Sequence, residues 1–178
     1  YIQFCFLFLL FISNRAWGQK FSISPEKPQP GDTVLLIYQP GNGPLEAASQ
    51  ISASVYMLND VFPEDKSVQI PMPRPIPIHL EMKKEGRQYI TGLVTGPTSK
   101  VLKVVFYSPE NEIDRNDGKG YSVKMYEPPS GLPVQGVMAQ EAFSKLTYAY
   151  FIGLNEDKEQ GFEDLSREFS LYPTSKEN

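Results

Sequence analysis

Cysteine, histidine and tryptophan are nearly missing from this chain of 178 residues. It has one of each, and two of them, Cys5 and Trp17, fall within the first 18 residues. A single cysteine excludes an internal disulfide framework and a Cys-ligated zinc or iron-sulfur site. A single histidine, His79, argues against a Ser-His-Asp or Cys-His triad and leaves too few nitrogen ligands for an ordinary zinc site. We therefore expect no catalytic residue in this chain and no cofactor, and we interpret His79 as a solvated surface residue.

Positive charge is also in short supply. The chain has 17 Lys and Arg residues against 21 Asp and Glu residues, a formal net charge of −4. Nucleic acids and anionic lipid surfaces attract proteins with an excess of basic residues, so this balance argues against both as partners. Five of the acidic residues cluster in residues 156–164, where we interpret them as the solvated face of a helix.

A hydrophobic run long enough to cross a bilayer is missing too. The apolar stretch of residues 2–12 is shorter than the roughly 20 residues of a transmembrane helix, but it suits the hydrophobic region of a secretory signal peptide. Ala16 and Gly18 are the small residues of a cleavage site, so residues 1–18 are predicted to be a signal peptide. We expect export to the periplasm, the cell envelope or the extracellular space, and no transmembrane span in the mature chain.

The middle of the chain has the pattern of a β-domain. Residues 51–57 alternate strictly between apolar and polar side chains, which is typical of a strand with one buried face. The same period recurs at residues 78–83, 102–107 and 121–125, and turns rich in Pro, Gly, Asn and Asp separate these segments. Each strand must cover its apolar face with a second sheet. The pattern thus predicts an immunoglobulin-like antiparallel β-sandwich over residues 19–135.

After Pro133 the apolar spacing becomes three and four, which is typical of amphipathic helices. A first helix is predicted over residues 137–152 and a second over residues 155–171, with Asn155 as its N-cap. We expect Phe162, Leu165 and Phe169 to face inward. A C-terminal pair of helices follows the sandwich, and we interpret residues 136–178 as the start of a truncated helical region, because helical repeats need about three units for stability.

The loop of residues 114–120 is the one candidate for a metal site. Asp114, Asn116 and Asp117 offer oxygen ligands, the kind that calcium prefers. An EF-hand register fails, because taking Gly118 as the sixth position places Ile113 at the first. A hairpin turn, in which Asp117 and Gly118 supply the positive φ, is the favoured interpretation.

Together, three turn motifs and the helix pair carry a family resemblance. The segments concerned are Phe21-Ser22-Ile23-Ser24-Pro25, Pro28-Gln29-Pro30-Gly31-Asp32, the loop from Asp114 to Tyr121, and the acidic helices ending in Tyr172-Pro173. They resemble the N-terminal extension of exported, thioredoxin-like (redoxin-domain) proteins of Gram-negative bacteria. In that family an immunoglobulin-like sandwich and a helical segment precede a thioredoxin domain with a Cys-x-x-Cys pair. The resemblance covers about residues 19–175 and implies a module that positions a redox domain or its client. It brings no catalytic residue to this chain.

Two classes of function remain open from the sequence. The first is a non-catalytic interaction or scaffolding module of an exported, envelope-associated protein, which binds a protein partner or other domains of the same chain. The second is a carbohydrate-binding module, in which Tyr56, Tyr107 and Tyr126 face outward and form a platform for a glycan. Sugar platforms favour large aromatic rings. Because the predicted mature chain has tyrosine but no tryptophan, we rank the glycan second.

Overall fold

The computed structural model describes residues 20–59 and 75–173. The predicted signal peptide, residues 1–18, lies outside the described residues. Nine strands, two α-helices and one 3₁₀ turn make up the described part of the chain. In chain order these elements are β1 (Lys20–Ser24), β2 (Thr33–Gln39), β3 (Ser52–Asn59), β4 (Pro77–Glu81), β5 (Lys83–Glu85), β6 (Gln88–Val94), β7 (Ser99–Tyr107), β8 (Ile113–Asp114), β9 (Tyr121–Lys124), α1 (Val137–Leu146), the 3₁₀ turn (Tyr150–Ile152) and α2 (Lys158–Leu171).

The strands form two antiparallel sheets. The first sheet has the order β1-β2-β6-β5, and the second has the order β4-β3-β7, with β8 and β9 both paired to β7. An immunoglobulin-like sandwich divides its strands in this way, with A-B-E-D in one sheet and C-F-G in the other. The predicted fold class, a mainly β sandwich followed by a pair of helices, is confirmed.

The core lies between the two sheets and follows the period of two that the sequence predicts. Every second residue of β2 from Val34 to Tyr38 is fully buried, and so are Ala53, Val55 and Phe106 in the opposing sheet. The rings of Tyr38 and Phe106 stack across the interface with centroids 4.0 Å apart. Burial of each large apolar side chain contributes about 1.5–3 kcal/mol, so the alternating pattern holds the two sheets face to face.

The helices add a third layer on the outer face of the second sheet. Leu58 of β3, Val101 of β7 and Val137 of α1 form a small buried cluster. Next to it, Lys103 points from β7 toward α1 and is almost completely buried. α1 thereby covers one end of this outer face and leaves the other end open.

Both helices are shorter in the structure than the sequence predicts. The first ends at Leu146, not at residue 152, and the chain then forms the separate 3₁₀ turn. Thr147 and Tyr148 follow Leu146, and β-branched and aromatic residues are weaker helix formers than the residues before them. The second helix begins at Lys158. Its N-cap is Asp157, whose side chain accepts a hydrogen bond from the backbone N–H of Gln160 at 3.1 Å, so the prediction of Asn155 as the N-cap was wrong.

α2 is also rotated relative to the prediction. Gly161, Asp164 and Glu168 are its buried residues, whereas Phe162 is 61% exposed and Phe169 is 40% exposed. The prediction that these two aromatic residues face inward was wrong, and so was the assignment of Asp164 to a solvated face.

The reason for the rotation is electrostatic and steric. Asp164 forms an ion pair with Lys145 of α1. Glu168 accepts hydrogen bonds from the backbone N–H groups of Gly136 and Met138, at 2.7 and 3.1 Å, at the start of α1. Amide groups at a helix N-terminus attract anions, which favours Glu168 at this position. Gly161 lets the two helices approach closely, because a Cβ there would lie 2.7 Å from Cγ of Leu146.

Among the described residues, no helix is both long enough and apolar enough to cross a membrane.

Candidate functional site: an aromatic groove on the second sheet

The end of the second sheet that α1 leaves open forms a groove of about 640 Å³. Its floor comes from the outward-facing residues of neighbouring strands. Ser54 of β3 lies directly opposite Val105 of β7 on one side and His79 of β4 on the other. Strict alternation places Tyr56 and Tyr107 on the same outer face, and both line the groove.

His79 lies within hydrogen-bonding distance of two hydroxyl groups of this floor. Its Nδ1 is 3.1 Å from Oγ of Ser54 and 3.4 Å from the hydroxyl oxygen of Tyr107. The His79 and Tyr107 rings are nearly perpendicular, with centroids 6.1 Å apart. The imidazole is exposed, as the sequence predicts, but these contacts fix its orientation.

One wall of the groove is aromatic and belongs to the helical region. Tyr150 and Phe151 of the 3₁₀ turn line it, with ring centroids 5.7 Å apart, and Tyr150 is 82% exposed. The sequence analysis assigned these residues to a continuous helix and did not include them in the site. The cue was Gly153, which ends the turn with a positive φ of 69° only a few residues after Thr147.

Arg115 supplies the charge of the groove. Burial raises the pKa of the Tyr56 phenol, and the positive charge of Arg115 lowers it by a smaller amount. The guanidinium therefore acts electrostatically on the Tyr56 hydroxyl. Among the described residues that line the groove there is no Asp or Glu.

The loop of residues 114–120 holds the aromatic wall in place. The backbone N–H of Asn155 donates to the carbonyl oxygen of Gly118 at 2.8 Å. A Cβ on Gly118 would lie 2.1 Å from Nδ2 of Asn155, and Gly118 also has a φ of 83°, so a glycine is needed here for two independent reasons. The segment that follows the 3₁₀ turn is thus attached to the sheet edge.

Asp114 anchors the same loop through three hydrogen bonds of its carboxylate. Its Oδ2 accepts hydrogen bonds from the hydroxyl groups of Tyr38 at 2.6 Å and Tyr121 at 2.8 Å, and its Oδ1 accepts one from the backbone N–H of Asn116 at 2.9 Å. Burial raises the pKa of both phenols, and the Asp114 carboxylate raises it further. The carboxylate thus faces the core of the sandwich.

This geometry bears on the predicted turn and on the calcium hypothesis. Asp117 and Gly118 do have positive φ values, of 54° and 83°. However, β8 and β9 both pair with β7, so the loop interrupts one edge of the sheet and does not close a hairpin between them. In residues 20–59 and 75–173, no group of three or more His, Cys, Asp or Glu side chains could hold a metal. Calcium binding by Asp114, Asn116 and Asp117 stays a prediction.

The three tyrosines of the predicted platform do not lie together. Tyr56 and Tyr107 share the groove, whereas Tyr126 is not among its lining residues. Tyr126 forms an isolated bridge with Pro133, and its ring lies 5.5 Å from the ammonium group of Lys27. Any platform in the groove is therefore completed by Tyr150 and Phe151.

A second, smaller cavity of about 280 Å³ lies between the second sheet and the helices. Lys103 and Glu141 form a buried ion pair on its wall, with Nζ and Oε2 2.8 Å apart. Burial raises the pKa of Glu141, but the charges of Lys103, Lys124 and Lys145 outweigh it, so the pKa lies below its ordinary value. This ion pair joins α1 to the second sheet, so we assign it a structural role.

No family model matches this chain, and neither the curated proteins nor the solved structures include a significant match to it.

Ser54 and His79 are within hydrogen-bonding distance, as in a nucleophile and its base, but Ser54 is almost buried in the middle of a strand. Such a base is normally oriented by a third group, most often a carboxylate, and none lines the groove in the described part of the chain.

Proposed function

We propose that this chain is a non-catalytic interaction module of an exported, envelope-associated protein, and that the groove binds a protein partner or another domain of the same chain. The observation that carries the proposal is the composition of the groove. Tyr56, Tyr107, Tyr150, Phe151 and Arg115 gather at one open site. Tyrosine, phenylalanine and arginine are enriched at the energetic centres of protein interfaces.

The resemblance to thioredoxin-like proteins gives this module a place in a larger protein. A sandwich followed by a docked pair of helices agrees with the order of elements in the N-terminal extension of that family. We propose that the module positions a thiol-disulfide oxidoreductase domain or its client. The reading frame beyond residue 178 tests this directly: a Cys-x-x-Cys in a βαβ setting supports it, and its absence from the full reading frame contradicts it.

Selection of binding peptides tests the interaction function. A displayed library of random peptides is selected on the purified chain, and the affinity of each binder is measured for the chain and for the Tyr107→Ala variant. We expect a loss of about tenfold or more on removal of Tyr107, since truncation of an aromatic residue at an interface centre costs about 2 kcal/mol. Tyr126→Ala is the matched control because Tyr126 lies outside the groove. If no binder depends on Tyr107, the groove is not an interaction site.

A glycan is the second candidate, because Tyr56 and Tyr107 lie on the same sheet face and line one groove. Aromatic rings on a sheet face can stack on the apolar faces of sugars. Affinity electrophoresis in gels that contain different polysaccharides measures this binding. Retardation that disappears in Tyr107→Ala but persists in Tyr126→Ala would favour the glycan over a protein partner.

A further inference from the structure

The charge of the groove is opposite to that of the chain. The chain has an acidic excess, with a formal net charge of −4. In the described lining of the groove, however, Arg115 is the charged residue, and no carboxylate is present. A ligand with a negative group therefore meets a positive charge and no carboxylate in this lining.

The rest of the lining indicates what accompanies the negative group. Val105, Ile113 and Ile152 are apolar, and Tyr150 and Phe151 form the aromatic wall. Apolar surfaces of this kind bury aliphatic or aromatic side chains. A peptide that combines acidic and apolar residues meets both requirements. An acidic polysaccharide such as a polyuronate offers the carboxylate without the apolar side chain.

We propose that the groove recognises an acidic, apolar peptide segment of a partner protein, with a carboxylate on Arg115 and an adjacent aromatic or aliphatic side chain against Tyr107 and Phe151. This inference rests on the proposed interaction function and names the chemistry of the ligand. Because the chain has an acidic net charge, non-specific electrostatic attraction would favour basic peptides. Binding of an acidic peptide therefore indicates a specific site.

Fluorescence anisotropy with defined peptides tests the proposal. The probe is a labelled peptide of alternating Glu and Phe residues, and its counterparts carry Gln or Lys in place of Glu. We expect the Glu peptide to bind about tenfold or more tightly than the Gln peptide, since charge-assisted hydrogen bonds are roughly twice as strong as neutral ones. The Lys peptide should bind most weakly, and the preference for Glu should shrink as salt is added.

Variants assign the effect to named groups. Arg115→Gln should weaken the Glu peptide about tenfold and leave the Gln peptide unchanged, while Arg115→Lys should retain part of the affinity. Arg87→Gln is the matched control, because Arg87 lies outside the groove, beside Gly86 and Tyr89. Thermal unfolding of each variant verifies that the fold is intact.

The outcomes separate this inference from the function on which it rests. Groove-dependent peptides from the library that lack acidic residues, or equal affinity for the Glu and Gln peptides, would overturn the acidic ligand and leave the interaction function standing. Absence of any Tyr107-dependent binder would overturn both. Binding of polygalacturonate that depends on Arg115, without binding of the Glu peptide, would overturn the peptide and move the site to the glycan.

Discussion

Lys103 of β7 and Glu141 of α1 form an ion pair between the sandwich and the helices, with Nζ and Oε2 2.8 Å apart and exposed fractions of only 2% and 3% for the two side chains. The ammonium group also donates to Oγ of Ser122 at 2.5 Å. Burial lowers the pKa of Lys103, while Glu141 raises it by a smaller amount. The pair therefore fixes the position of α1 but carries a desolvation penalty, which has measurable consequences.

The first prediction is a double-mutant cycle on this pair. Glu141→Leu alone should lower the free energy of unfolding by about 3–5 kcal/mol, because it leaves the buried Lys103 ammonium group without a carboxylate. Lys103→Met alone should cost less, because Lys145 Nζ still lies 3.8 Å from Oε2 of Glu141. The double variant should regain most of that loss and come within about 1 kcal/mol of the original chain, since well-packed apolar residues commonly replace buried ion pairs without cost. Urea unfolding measures all four proteins. Additive losses would show that the two side chains act independently.

The second prediction concerns acid. Although burial raises the pKa of Glu141, Lys103, Lys124 and Lys145 hold it below its ordinary value of 4.5. A carboxylate with a depressed pKa in the folded state stabilises the fold above its unfolded pKa, and this stabilisation is lost as pH falls through the folded pKa. The free energy of unfolding should therefore fall more steeply below about pH 5 in the original chain than in the Lys103→Met/Glu141→Leu variant.

The matched control for this acid titration is Glu163→Gln. Glu163 is exposed and pairs with Arg167 on the surface of α2. Surface pairs contribute little to stability, so Glu163→Gln should keep the steep dependence on pH. Parallel curves for all three proteins would show that the buried pair does not cause the acid sensitivity.

The third prediction uses the close contact of the two helices. Alanine normally stabilises a helix by about 1 kcal/mol relative to glycine. Gly161→Ala should instead destabilise this protein by about 1–3 kcal/mol, because the added Cβ would lie 2.7 Å from Cγ of Leu146. In a Leu146→Ala background the clash is absent, and Gly161→Ala should then be neutral or stabilising. Thermal or urea unfolding measures both effects, and a stabilising Gly161→Ala in the original chain would contradict the packing.

The fourth prediction concerns Asp114 and its two tyrosines. Burial and the Asp114 carboxylate raise the pKa of Tyr38 and Tyr121 far above 10.0. Their absorbance near 295 nm should therefore stay that of the protonated phenol at a pH where exposed tyrosines ionise, around 10. A group whose pKa is higher in the folded than in the unfolded protein stabilises the fold at pH values below its unfolded pKa. The contribution of these two tyrosines to the free energy of unfolding is therefore lost as the pH rises above about 10.

A pair of substitutions tests the hydrogen bonds at this carboxylate. Asp114→Ala leaves two buried hydroxyl groups without an acceptor and should cost about 1–3 kcal/mol for each. Asp114→Asn keeps one acceptor oxygen and should cost less. Equal losses for the two variants in urea unfolding would show that the hydroxyl groups find other partners.

The sandwich is the part of this protein that the sequence predicts best. A period of two is local, so the alternation in residues 51–57 identifies the buried face of β3 without knowledge of its neighbours. It places Ala53 and Val55 in the core and Tyr56 on the outer face, as the structure has them. The division of strands between two sheets follows from the need to cover those apolar faces.

The site is only half predictable. Tyr56 and Tyr107 share a sheet face by alternation, but Tyr126 follows the end of β9 and lies elsewhere. Tyr150 and Phe151 join the groove because the chain leaves α1 at Leu146 and the loop at Gly118 holds Asn155. The hydrogen bond between Asn155 and Gly118 links residues that are distant in sequence, so no local pattern predicts it.

By itself, the sequence determined which strand faces are apolar, that turns separate them, and that two helices follow, because side-chain periodicity acts within a few residues. The tertiary structure alone decided that α2 turns Asp164 and Glu168 inward and Phe162 outward. Hydrophobicity along one helix predicts the opposite. Buried charges need partners, and Lys145 and the first amide groups of α1 are such partners only once the two helices have packed together.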